Sequence, residues 1–287
     1  MKLTDLVLVS AVIALAGFVG AQATVQSAPA AQSGVLTTSP NSAPDAAALA
    51  DPSREASRAR DLDVPAPADD RAGDLTTGSA REGRVAYVSN VPRPTALSAP
   101  ELQRRLQTGS SGTYIDALLS ARDSVLTRWP DRLLTPVRVW IGDGGAHDAW
   151  DPAFPSLVRD AFDAWTATGI PMRFTFVRDS SDVDVRVRFV PSFADGISGR
   201  TVWSRDANSW LVSGDIDLSL RHPRGDAITR TQLQAIALHE IGHLLGLDHV
   251  DDPEHIMAPR VRARTLSDGD IATVRLLYSV PAGSARH

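Results

Sequence analysis

The sequence predicts an α+β domain: a twisted five-stranded sheet, helices on it, and a histidine-bearing helix arriving after the last strand. Three observations carry this. Five stretches between residues 135 and 220 alternate apolar and polar residues with period two, or read as short β-rich runs. Two segments flanking them repeat apolar residues at spacings of three and four. The segment from Thr229 onward then carries "ALHEIGHLLGLDH", with three of the chain's seven histidines inside thirteen positions.

In chain order, "TYIDALLSARDSVLTRW" (113–129) predicts an amphipathic helix with Ile115, Leu118, Leu119, Arg122, Val125, Leu126 and Trp129 on one face, ended by Pro130. "TPVRVWIG" (135–142) predicts a strand. Pro155 suits the first turn of a second helix, whose buried stripe is Leu157, Val158, Ala161, Phe162 and Trp165. "MRFTFV", "VDVRVRFV", "GRTVWSRD" (199–206) and "GDIDLSL" (214–220) supply four more strands. Thr229-x-x-Gln232 and Thr231-x-x-Gln234 both match a capping box, placing a helix from there to Leu245. "LSDGDIATVRLLYS" (266–279) predicts a closing helix begun by Ser267-x-x-Asp270.

Composition bounds the chemistry. The 287 residues are 43% hydrophobic and 22% charged, enough for a sizeable core. A formal charge of −5 argues against a nucleic-acid partner, which would need a basic face. Positive charge is nearly all arginine, a bias without functional content. With no cysteine, any metal must be held by His, Asp or Glu.

The N-terminus (1–23) has Lys2, an apolar run from Leu6 to Val19 and Ala21-Gln22-Ala23, the pattern of an export signal peptide, or of a membrane anchor if uncleaved. Residues 24–100 are expected to be an Ala/Pro/Ser/Asp-rich disordered linker or pro-segment, in which "GRVAYVSNV" (83–91) could add a short strand or a docking segment. An N-terminal helical segment at 101–133 and a catalytic domain at 134–280 follow. Secretion or residence in the cell envelope is the expected location, and nothing indicates an oligomer.

On a helix, His239 and His243 lie one turn apart on one face and can share an ion. Glu240 flanks that ion without being forced into its shell, so it is placed to hold a water. Gly246 can take a positive φ and turn the chain so that His249 brings a third imidazole. Three histidines with one open position make a catalytic rather than a structural zinc arrangement. By residue frequencies, five such matches arise by chance with a probability on the order of 10⁻⁵.

The full string H-E-x-x-H-x-x-G-x-x-H, followed by Met257 in "HIMAP", resembles the metzincin metallopeptidases and, within them, the secreted bacterial matrixins. A gluzincin would need a glutamate from a later helix, and Glu254, the only later one, is too close. The resemblance covers roughly 130–280. It implies a mixed sheet, a Met-turn with Met257 as the floor beneath one catalytic zinc, and a zinc-dependent endopeptidase with Glu240 as general base. It also implies a polypeptide substrate bound as an extended strand against "GRTVWSRD", making Thr201, Val202 and Trp203 substrate-binding candidates. Arg260, after Met257, joins them, because that segment walls the pocket beyond the cut; inward arginines there would favour acidic residues and outward ones would leave an apolar pocket.

Asp215 and Asp217 resemble the calcium-lined strand of matrixins, although a solvated strand face accounts for them equally well. His147 and His222 read as surface residues. Mammalian matrixins are held latent by a pro-segment cysteine, absent here; latency would need an aspartate or cover from 83–130. The rival classes are a metal-binding but inactive surface protein, against which Glu240 and Gly246 argue, and a hydrolase with one narrow target.

Overall fold

The computed structural model describes residues 75–83 and 97–284, all within one compact unit. The export segment and most of the linker expected before residue 97, including "RVAYVSNV", lie outside the described residues.

The elements are β1 (Arg81–Glu82), α1 (Ala99–Gly109), α2 (Ile115–Ala121), β2 (Val125–Leu126), β3 (Val137–Ile141), α3 (Phe154–Thr166) and β4 (Phe174–Val177). There follow β5 (Val185–Val190), β6 (Gly199–Arg205), β7 (Leu211–Ser219), α4 (Arg230–Leu244), α5 (Asp268–Ser279) and β8 (Gly283–Ser284). The main sheet runs β1-β6-β7-β5-β3-β4. It is mixed, with β6 antiparallel to β7 and the other neighbours parallel. β2 and β8 form a separate antiparallel pair.

The five expected strands are present, with β1 as a sixth. The helix expected over 113–129 is shorter. α2 stops at Ala121 because Asp123 and Ser124 take φ of 49° and 65°, and Val125–Leu126 pair with β8 instead. Their apolar spacing suits a helix and a buried strand alike, so periodicity could not separate the two.

α4 is buried on every face from Ala235 to Leu244, which is why its sequence has apolar residues all round rather than one stripe. Thr229 caps it: the Thr229 hydroxyl accepts from the Gln232 amide and Gln232 reaches back to the Thr229 N–H. Two buried indoles grip it from outside. Trp165 on α3 donates to Leu238 O at 2.9 Å, and Trp129 donates to Leu244 O at 2.8 Å. α3 buries Phe154, Val158, Ala161, Phe162 and Trp165 as its spacing predicts, with Leu157 at the margin.

The end of α4 is a two-bond stop. Gly246 N–H reaches His243 O and Leu247 N–H reaches Gly242 O, both at 3.0 Å, while Gly246 takes φ +102°. A Cβ on Gly246 would stand 2.0 Å from the Thr127 carbonyl oxygen, a backbone atom that cannot swing aside. Gly246→Ala therefore combines left-handed strain with a clash. It is expected to remove at least about 2 kcal/mol of stability, read as a fall of several degrees in Tm; an unchanged Tm would show that this turn is not fixed as described.

Candidate metal centre

The turn at Gly246 sends Leu247 into the core and brings His249 back over α4. Arg122 holds that return, pairing with Asp248 at 3.1 Å and donating to Leu247 O at 3.2 Å, while Asp248 accepts the His249 N–H at 2.8 Å. His239, His243 and His249 consequently converge, with their ligand atoms within 4.8 Å of one another. The Nε2 atoms of His243 and His249 stand 3.1 and 3.2 Å from His239 Nε2.

The far nitrogens decide what those Nε2 atoms are. His239 Nδ1 lies 2.7 Å from Ile256 O and His243 Nδ1 lies 3.0 Å from Leu247 O. A carbonyl only accepts, so each Nδ1 carries the proton and each Nε2 presents a lone pair. Burial lowers all three imidazole pKa values: His239 falls well below its usual value, helped by its two neighbours, His243 falls to about 3, and His249 falls more modestly. Neutral imidazoles with lone pairs facing each other at 3.1 Å repel unless a cation stands among them. Zinc–nitrogen bonds of about 2.0–2.1 Å in a tetrahedron give nitrogen separations of about 3.3 Å, which the two pairs made by His239 approach.

Glu240 completes the fit. It is fully buried; its Oε2 accepts from the Thr201 hydroxyl at 2.6 Å, and its Oε1 is buried with no protein partner. Burial pushes this carboxyl up to about 8, with the Thr201 bond opposing the rise. A buried unpaired carboxyl oxygen is tolerated where it serves a ligand. Beneath the cluster, Met257 is fully buried, and a Cβ on Gly242 would meet its sulfur at 2.3 Å, so Gly242 lets the turn pack directly under α4. Asp270, buried at the start of α5, braces that turn by accepting the Ile256 N–H at 3.0 Å and the Tyr114 hydroxyl at 2.9 Å. Ile256 is also the residue whose carbonyl orients His239.

The remaining predicted residues fall as follows. Thr201 and Trp203 face inward and are buried, Val202 is half-buried, and Arg260 is exposed. Arg260 and Arg262 line an open groove of about 370 Å³ with Asp251, Pro253, Ala258 and Pro259, while Val261 between them enters the core. Asp215 and Asp217 lie 3.5 and 2.7 Å from Arg188, which already supplies them a cation. His147 is exposed; His222 is half-buried with Nε2 3.2 Å from Gln232 Oε1.

Residues 75–83 are a feature that sequence reasoning missed. They run parallel to β6, with Thr77 opposite Gly199 and Arg81–Glu82 opposite Val202–Trp203. On the other side Thr76 bridges Arg260 antiparallel, Thr77 N–H reaches Pro259 O at 3.1 Å and Val261 N–H reaches Leu75 O at 2.9 Å. This strand thus fills the cleft between the sheet edge and the wall after Met257. Leu75 is fully buried, and the Thr77 hydroxyl donates to His239 Nε2 at 2.8 Å and stands 3.5 Å from His249 Nε2. The pairing is non-local and "LTTGSA" has no apolar period, so no local signal marked it.

A family model described as Matrixin matches residues 147–279. Metalloendoproteinase 1-MMP of Arabidopsis thaliana is 29% identical over 143 residues, 43% of this chain and 37% of that protein. Metalloendoproteinase 1 of Glycine max is 29% identical over 151 residues, 45% and 47% of the two chains. Matrix metalloproteinase-16 of Homo sapiens is 28% identical over 162 residues, 46% of this chain and 24% of that one. The chain spans less than half the length of each of these relatives. The family match, the α+β architecture and the three converging histidines agree: residues 147–279 are similar to the matrixins and carry a matrixin-like metzincin site.

Proposed function

We propose that this chain is a zinc-dependent endopeptidase. The observation that carries the reading is the convergence of three imidazole Nε2 atoms together with a buried, unpaired Glu240 oxygen. His239, His243 and His249 would hold the zinc, whose chemistry is to acidify a bound water and polarise a carbonyl. Glu240 accepts the water's proton and delivers it to the departing amine. Burial keeps the imidazoles neutral for this task, and the carbonyl partners of His239 and His243 Nδ1 leave their Nε2 atoms free to bind.

An extended polypeptide is the substrate class. It takes the place of residues 75–83 along β6, in the antiparallel sense, with main-chain bonds to the strand edge. Because Arg260 and Arg262 are exposed while Leu75 is buried beside Val261, the position after the cut takes an apolar side chain. The same geometry supports a self-blocked form in which the enzyme's own strand occupies the cleft. Export to the cell envelope or beyond is part of this reading and rests on the signal pattern at 1–23; among the described residues no helix is long and apolar enough to cross a membrane.

The test is hydrolysis of a quenched peptide library by the full chain, with cleavage sites mapped by mass. Cuts before leucine-sized residues are expected. A preference for Asp or Glu after the cut would overturn the assignment of an apolar pocket, and no cleavage under any release condition would favour the binding-protein alternative.

A further inference from the structure

We propose that Thr201 is the positioning residue of the general base: its buried hydroxyl clamps one carboxyl oxygen of Glu240 and leaves the other, Oε1, to take the proton. This rests on the zinc-peptidase reading above and assigns a role within it.

Glutamate has three side-chain torsions, so its place on α4 does not by itself fix where its carboxyl points. What fixes it is the inward face of β6. Residues 199, 201 and 203 share that face by the two-residue period of a strand, and the first two make a slot. Thr201, fully buried, has Oγ1 2.6 Å from Glu240 Oε2 and 3.0 Å from the Glu240 backbone oxygen. A hydroxyl has one proton, and the shorter contact, to the carboxyl, is where it is best spent.

Gly199 forms the other side. A Cβ there would stand 2.4 Å from Glu240 Oε1, 2.8 Å from its Cδ and 2.7 Å from Ile236 Cγ2. Any larger residue would push the carboxyl out of its present place. The two oxygens therefore differ: Oε2 is held by a donor, whereas Oε1 faces a glycine and has no protein partner.

The donor's type matters as well. A guanidinium in this position would fix the carboxylate as a permanent ion pair and suppress its proton uptake. A neutral hydroxyl orients the group without making it half of an ion pair. The adjacent Arg200 is occupied elsewhere, 2.5 Å from Asp195.

Thr201→Val keeps the size and β-branching and removes only the donor; Thr201→Ser keeps the donor and removes a methyl. Kinetics are read in the parent and in the Leu75→Asp chain, alongside zinc content and crystal structures of each variant. Thr201→Val is expected to lower kcat by about 10- to 100-fold, less than the roughly 10²–10⁴-fold contributed by the general base itself, with KM and zinc content within about twofold. Thr201→Ser is expected to recover most of the loss. In the crystal of Thr201→Val the Glu240 carboxyl should leave the slot. Gly199→Ala, which displaces the same carboxyl from the opposite side, should likewise lower kcat with zinc retained.

Parental kcat in Thr201→Val, equal losses in Val and Ser, or a carboxyl unmoved in the Val crystal would each overturn the assignment. No turnover in any chain, the Leu75→Asp chain included, would instead overturn the zinc-peptidase reading.

Discussion

Glu240→Ala is expected to lower turnover by about 10³-fold while the protein keeps its zinc and its fold. General acid–base catalysis contributes roughly 10²–10⁴-fold, and no other carboxylate among the described residues stands in the histidine cluster to replace this one. Zinc should remain because the three imidazoles, not the carboxyl, form the ligand group. Thermal stability should not fall much, since a fully buried carboxyl with one unpaired oxygen is an unfavourable group whose removal offsets the small cavity left behind. The measurement is kcat/KM on the best library peptide, with zinc content and Tm from the same preparation. Turnover within tenfold of the parent would place the proton acceptor elsewhere.

Leu75→Asp is expected to raise turnover of the full chain by tenfold or more. Besides the main-chain bonds, the Glu82–Arg205 ion pair at 3.0 Å and the Ser79–His249 contact at 3.5 Å, residues 75–83 are held by the Leu75 and Thr77 side chains, whose contributions differ in size. Burying a leucine contributes about 1.5–3 kcal/mol, whereas a hydroxyl hydrogen bond contributes about 0.5–1.5 kcal/mol. Leu75, fully buried, is thus the stronger anchor, and Thr77, facing His239, the more specific one. An aspartate at 75 loses the apolar contribution and adds a desolvation penalty. Since 1.4 kcal/mol shifts an equilibrium tenfold, the strand's occupancy should collapse. Thr77→Val should raise turnover by a smaller factor. Initial rates before and after the substitution are the test, and equal rates would show that the strand does not obstruct substrate.

The sequence was most informative where one side chain at a fixed spacing had to meet a geometric demand. His239 and His243 required a helix, and α4 is one; Gly246 required a positive φ, and it has +102°. The capping boxes at Thr229 and Ser267 were readable for the same reason, because each is a local bond between residues three apart. Non-local pairing left no such trace. Residues 75–83 read as part of a linker since threonine, glycine and serine carry no core pattern, and their order comes from β6 and from the wall at 259–261.

Thr201 was singled out for a different reason from the one its position suggests. The expected strand lies where it should, but the side chain points into the protein rather than along the substrate edge. Period-two alternation defines two faces of a strand without saying which of them a catalytic side chain occupies. Asp215 and Asp217 show the complementary limit: their alternation was plain, and the cation between them is Arg188 from the neighbouring strand β5.

The most direct test of the central claim is metal content and peptide turnover followed together, on one sample of Leu75→Asp protein, through removal of metal by a chelator and its return. The account predicts one zinc per chain, loss of zinc and turnover in step, and recovery of both when one equivalent of zinc is restored. Turnover that persists in fully metal-free protein would contradict it.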